Sequence, residues 1–335
     1  MLADFGAEVI KIEPPAGDAM RQLGPRSPDG GALYHSVLNA QKSVLHLDLK
    51  SAAGLDRLHA LLADCDVLIE GFRPGAMARL GLSHDDLKAR YPQLIYCSIS
   101  GYGATGPRAL DAGHDGNFLA GSGIMARNGV DAPIFFDPPL ADMSGGLHAA
   151  IAILAALHGR QATQQGTHID LGLADSLMPL QLMQVAGWSI YRTETARQST
   201  YLNGGAAYYQ IYETADQRHI MVGAVEPKFG RNLCALAGHA EWIDRQEEPC
   251  PQTDLRLDVA RYFQGLTLDE AIDRFGRSDC CVSAVHDMGE ALTDPHLLAR
   301  GLVQSGPQGM QTAFPALFDG KPLPLRRPPD LGEAL

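Results

Sequence analysis

This chain of 335 residues carries no clustered run of lysine and arginine, and its formal net charge is -12. Nucleic acids are gripped by grouped basic side chains, so a nucleic-acid partner is not expected. An anionic small molecule needs only a few local donors and stays open. No apolar run reaches membrane-spanning length. The longest, over residues 147–157, is interrupted by His148 and reads as a buried helix, so no membrane partner is expected either. No secretory leader is read after Met1. The six cysteines include no C-x-x-C pair, and the adjacent Cys280 and Cys281 cannot supply metal-site spacing. They read as reduced thiols of a cytoplasmic protein. No His, Cys or carboxylate spacing suits zinc or calcium, and no metal is expected. Internal repeats are absent. Gly121-Ser122-Gly123 lacks the frame of a nucleophile elbow. Gly101-Tyr102-Gly103-Ala104-Thr105-Gly106 fits G-x-G-x-x-G by letter, but Pro107 and a loop follow it instead of a helix, so it is not read as a dinucleotide site.

What is present is an α/β pattern. Apolar residues make up 45% of the chain, and its length exceeds what one hydrophobic core usually holds. Strands are predicted over residues 8–12, 43–49, 66–70, 94–100 and 168–171, a helix over 52–62, and a nearly all-apolar helix from 142 to about 160. Strands alternating with helices predict a parallel sheet covered on both faces. The second helix is apolar around its whole circumference and is predicted to be buried. The division expected is a large domain over 1–190, a linker over 191–202, a small α+β domain over 203–290 and a return strap over 291–335 that includes the Pro-rich stretch 322–329. The opening Met1–Gly6 reads like the last turn of a helix closed by glycine, so a first β-α unit is expected to be missing and a sheet edge to be exposed.

Three acid–base residues sit in distinct settings: His114 in Gly113-His114-Asp115, Asp142 in Ala141-Asp142-Met143-Ser144-Gly145-Gly146, and Glu226 in Ala224-Val225-Glu226-Pro227. His114 follows a strand and a glycine-rich loop, where open α/β sheets place ligands. Asp142 reads as an N-cap of its helix or a residue close to it, and two glycines in the first turn imply something pressing on the backbone. Glu226 ends an apolar strand, with Pro227 suited to the first position of a helix. Capping alone would explain either carboxylate. A histidine and a carboxylate facing one carbon can also divide the removal and return of a proton.

These motifs, in this order, resemble the family III coenzyme A transferases (the CaiB/BaiF group), most closely their α-methylacyl-CoA racemase branch. The resemblance extends over nearly the whole chain, through Leu2–Glu13, Lys42-Ser43, Leu47-Asp48-Leu49-Lys50, Phe72-Arg73-Pro74-Gly75, Asn203-Gly204-Gly205-Ala206 and Asp279-Cys280-Cys281-Val282. It implies a Rossmann-like large domain, a small α+β domain and an interlocked homodimer. His114 and Asp142 would come from one protomer and Glu226 from its partner. It further implies an acyl-CoA substrate, with coenzyme A entering as part of the thioester and no permanently bound cofactor, and a place in lipid metabolism. Lys42 and Arg73 become candidates for phosphate contacts, with His46, Leu47, Asp48 and Leu49 beside the nucleotide and Gly113, Asp115 and Asn117 near the thioester. The branch often has a basic residue where Pro14 stands; Lys11 or Arg21 would replace it. Met178, Leu182 and Met183 are candidates for an acyl pocket. The implied reaction is racemisation of a 2-methylacyl-CoA through an enolate held at the start of the Asp142 helix. Relatives without the histidine use the aspartate as a nucleophile, so CoA transfer through an Asp142 anhydride is the alternative. A homologue that binds acyl-CoA without turnover is a third reading.

Overall fold

The computed structural model describes residues 1–27, 30–306 and 309–331. Contacts group the chain into two units, Met1–Asp111 with Gly145–Gly172 and Met288–Leu335, and Ala112–Ser144 with Leu173–Asp287. The sequence division differs from this: residues 112–144 and 173–190, expected in the large domain, and the expected linker 191–202 all group with the second unit.

In the first unit, β1 (Ile10–Glu13) pairs in parallel with β2 (Ser43–His46), Ile10 opposite Ser43. Helix α1 (Ala52–Leu62) follows, begun by the Ser51 hydroxyl accepting the Gly54 N–H at 3.0 Å. A second parallel sheet has the order β3 (Val67–Glu70), β4 (Ile95–Ser100), β5 (His168–Gly172). Successive strand side chains point to opposite faces, and β4 uses both. Tyr96 packs with Leu58 and Leu62 of α1, while Cys97 packs with Ala149 and Ile153. The predicted parallel strands are therefore all present, but their hydrogen bonds form two sheets.

The end of β1 carries the most charged interior of this unit. The Glu13 side chain is 1% exposed and accepts from Arg21 Nε at 2.7 Å, His35 Nε2 at 2.8 Å and the Asp18 N–H at 3.0 Å, with Lys11 Nζ at 3.1 Å. Burial pushes its carboxyl up, but these donors outweigh it and hold it well below the usual carboxylate range. Lys11 also pairs with Asp18. Glu13, Asp18 and His35 have the mutual spacing of metal ligands, but Lys11 and Arg21 already neutralise them. The Pro-rich stretch runs as a strap. Arg326 grips Asp4 with two hydrogen bonds of 2.9 and 2.8 Å, and Asp330 bridges to Ser43 beside β2.

In the second unit, β6 (Gln210–Glu213), β7 (His219–Val222) and β8 (Val282–Ala284) form an antiparallel sheet in that order. The longer helices that begin in this unit are α2 (Asp115–Ser122), α3 (Leu140–Thr163), which leaves it, α4 (Leu182–Tyr191), α5 (Pro227–Ala237) and α6 (Thr253–Gln264). The sheet, α5 and α6 enclose one core in which Tyr208, Leu233, Phe263 and Phe275 are at most 1% exposed.

Helix α3, whose first turn belongs to the second unit and whose remainder belongs to the first, departs from its prediction. It has 24 residues and, by length and composition alone, is apolar enough to cross a bilayer. Ala149 and Ile153 are buried, but Leu147, Ile151 and Leu154 are 47%, 64% and 49% exposed. Being apolar all round did not bury it within one chain.

Candidate active site

His114 is the N-cap of α2, in extended backbone, and its N–H donates to Asn117 Oδ1 at 3.0 Å. The Asn117 side chain thereby satisfies the backbone N–H of His114 at the helix start. Asn117, a candidate for cofactor contact, has this structural duty. The next residue, Asp115, reaches much farther along the chain: its Oδ1 accepts the N–H of Ala141 at 2.6 Å and of Asp142 at 3.1 Å. Asp142, expected at the N-cap or close to it, lies in the first turn and not at the cap itself. Helix α3 begins at Leu140, Asp142 is its third residue, and Asp115 satisfies the orphan amides. Of the amides at this helix start, those of Ala141 and Asp142 already have an acceptor in Asp115.

Below this turn, the buried Ser144 hydroxyl donates to the Ser176 carbonyl at 2.8 Å, and the Ser176 hydroxyl, which donates to the Leu173 carbonyl at 2.7 Å, lies 3.4 Å from the Ala141 carbonyl. The backbone that presents Asp142 is thus tied on two sides. Desolvation pushes the Asp142 carboxyl above its ordinary value, the neighbouring Asp115 carboxylate adds to this, and His114 opposes it. The electrostatic effect of His114 on Asp142 brings these two candidates together in one unit. At Gly146 the expected pressure is not supplied by the described residues: a Cβ there would meet nothing within 4 Å.

A cleft of about 520 Å³ opens beside His114, lined also by Gly116, Asn117, Met125, Pro133, Ile134 and Phe135. Its walls are mostly apolar, and none of these residues is Lys or Arg. Met178, Leu182 and Met183, the acyl-pocket candidates, do not line it; they are 47%, 73% and 66% exposed elsewhere in the unit. Sequence reading missed Asp115 as a cap and the 133–135 segment as a wall. The only signal for the latter was its apolar Pro-Ile-Phe-Phe run among polar loop residues.

Glu226 is the N-cap of α5 with Pro227 at the first position, as its flanking residues predicted, and its carboxylate makes no capping bond. It lies near Cys281, whose thiol is pushed up by burial and then by the Glu226 charge. Among the described residues, no hydrogen bond joins Glu226 to His114 or Asp142.

The nucleotide candidates lie in the first unit. Lys42 is half-buried, donates to Asn39 Oδ1 at 3.0 Å, and has its ammonium pushed down by burial. His46 Nδ1 is 3.2 Å from the Pro14 carbonyl, Leu47 is buried, Asp48 accepts the Lys50 N–H at 3.0 Å, and Leu49 packs against the α1 core. Arg73 is exposed and Gly113 half-buried. Lys11 and Arg21, expected to replace a basic residue at Pro14, are committed to Glu13 and Asp18, although Arg21 Nη2 is buried without a hydrogen-bond partner among the described residues. The G-x-G-x-x-G lookalike is followed by loop until Asp115, with its Ala104 N–H held by Asp170 at 2.9 and 3.0 Å.

The model of CoA-transferase family III matches residues 1–334. Human succinyl-CoA:glutarate CoA-transferase is 30% identical over 90% of this chain and 70% of its own length. Human α-methylacyl-CoA racemase is 32% identical over 99% of this chain and 85% of its own length. A crystal structure of a CaiB/BaiF family protein from Brucella suis superposes with a TM-score of 0.86 at 28% identity, over 98% of this chain and 90% of that one.

Proposed function

The chain belongs to CoA-transferase family III, and from that premise we propose that this enzyme racemises 2-methylacyl-CoA thioesters. The observation that carries the reading is the placement of His114 and Asp142 about a single carboxylate, Asp115, within electrostatic reach of each other. Two groups so placed can remove the α-proton from one face and return a proton to the other, each contributing roughly 10²–10⁴-fold. His114 takes the proton from one enantiomer and Asp142 from the other. The group not acting as base enters protonated and delivers its proton to the opposite face. The enolate oxygen is assigned to first-turn amides of α2, where Gly116 lines the cleft with His114. Coenzyme A enters as part of the substrate, with Lys42 and Arg73 near its phosphates.

The cleft supports an apolar acyl group. A succinyl or glutaryl chain would bring a second carboxylate, which needs a cation or several donors, and the lining residues provide neither Lys nor Arg. CoA transfer through an Asp142 anhydride is the second reading, favoured by the identity to the succinyl-CoA:glutarate enzyme.

The proposal includes a homodimer with Glu226 completing the partner's site. It draws support from the apolar side chains left exposed on α3 and α4, where Leu182, Ile190 and Tyr191 are at least 73% exposed. Ile151→Lys combined with Leu154→Lys is expected to convert a dimer to monomers in sedimentation velocity; an unchanged coefficient would remove α3 from the interface. All six cysteines are free thiols, which fits the cytoplasmic location proposed with it.

The test is incubation with one enantiomer of a 2-methylacyl-CoA in D₂O without any acceptor acid. Deuterium uptake at the α-carbon together with epimerisation is expected. No uptake, with CoA exchange appearing only when a carboxylic acid is added and an anhydride trapped by hydroxylamine, would install the transferase reading instead. Binding with neither reaction would leave an acyl-CoA binder.

A further inference from the structure

We propose that Asp115 is a positioning residue whose single carboxylate ties the first turn of α3, and with it Asp142, to the turn that carries His114. The geometry is specific. Asp115 is the first residue of α2, directly after His114, and its Oδ1 takes two amides that are 26 and 27 residues away in sequence. Helix starts commonly recruit a cap from their own N-cap residue. Here the cap comes from another helix, so capping α3 also sets its distance from His114. A displacement of about 1 Å between reacting groups can cost roughly 10²-fold in rate, and this bond is where such a displacement would begin.

The same carboxylate acts electrostatically. Its negative charge disfavours ionisation of Asp142, adding to desolvation, while His114 works the other way. Among the elements that flank this helix start, the remaining acids are Asp131 and Asp137 in the preceding loop and Asp175 in the turn below, all exposed. Asp115 is therefore the charge that tunes Asp142 toward a group able to hold a proton as well as take one.

This inference rests on the racemase reading for its kinetic arm only. Asp115→Asn keeps an oxygen for the two amides but removes the charge, whereas Asp115→Ala removes both. Asp115→Ala is expected to slow α-proton exchange about 10²-fold and to accelerate amide hydrogen exchange over residues 141–143. Asp115→Asn is expected to retain that amide protection and most of the rate. Its pH–rate profile, for the enantiomer deprotonated by Asp142, should have an acid limb moved to lower pH. Unaltered amide protection in Asp115→Ala would overturn the tie. An unmoved acid limb in Asp115→Asn would reduce Asp115 to a cap with no electrostatic part. If the unmodified enzyme shows no α-proton exchange, the racemase reading falls, and amide exchange still judges the tie by itself.

Discussion

His114→Ala and Asp142→Ala are each expected to lower racemisation by roughly 10²–10⁴-fold, the range set by one positioned acid or base. The two variants should not fail alike. His114→Ala retains the base for the enantiomer that Asp142 deprotonates, so that enantiomer should still exchange its α-proton with D₂O while the other should not. Asp142→Ala should show the mirror image. Inversion itself needs both groups and should be lost in each. This follows from their placement: they sit on different helices, joined through Asp115, with neither bonded to the other as a relay. The measurement is deuterium content and R/S ratio, starting from each pure enantiomer. The transferase reading expects something else. There Asp142→Ala abolishes turnover because it removes the nucleophile, and His114→Ala leaves most of it. Full racemisation by His114→Ala would sink the two-base mechanism.

Glu13→Ala is expected to destabilise the first unit by about 3–5 kcal/mol, the cost of removing one partner from a buried ion pair. Glu13 is 1% exposed and faces Arg21, His35 and Lys11. Truncating it leaves cationic groups crowded together with only Asp18 to answer them. Urea unfolding at pH 7 measures the loss, and a change below about 1 kcal/mol would refute a structural role of this size. The pH dependence has a definite sign. Glu13 is held below its ordinary value of 4.5 by its donors, so its contribution is complete above that value and declines as the pH falls through the lower folded-state value. The stability gap between Glu13→Gln and the parent chain should narrow in acid. A gap that widens below pH 4.5 would contradict the assignment. The same cluster explains why Lys11 and Arg21 make poor substitutes for a phosphate ligand at Pro14: most of their donors are already engaged.

Much of the fold was legible from periodicity. Helix α1 runs over the predicted residues, and all five predicted strands of the first unit are present within a few residues. Short apolar runs bounded by turn residues carry that signal locally. Burial of α3 was misjudged for a physical reason. Periodicity reports that an apolar surface must be covered, but it does not say whether the same chain covers it. Leu147, Ile151 and Leu154 satisfy the pattern and still face outward.

The site divides the same way. His114, Asp142 and Glu226 could be singled out by residue type and flanking turns, and Glu226 was placed correctly at a helix start with proline behind it. Asp115 was singled out as a coenzyme A contact, and its hydrogen bonds to the Ala141 and Asp142 amides were not foreseen. The methionines at 178 and 183, singled out for an acyl pocket, do not line the cleft beside His114, which is built in part from Met125 and residues 133–135.

By itself, then, the sequence determined what depends on neighbours along the chain: the strands, the helix starts, the acid–base residues and a family resemblance spread over ordered motifs. Tertiary structure alone decided that Asp115 caps the helix of Asp142, that Lys11 and Arg21 are spent on Glu13, and that the apolar cleft adjoins His114. A hydrogen bond between residues 26 positions apart depends on how the intervening loop closes, and no pattern of adjacent residues encodes that distance.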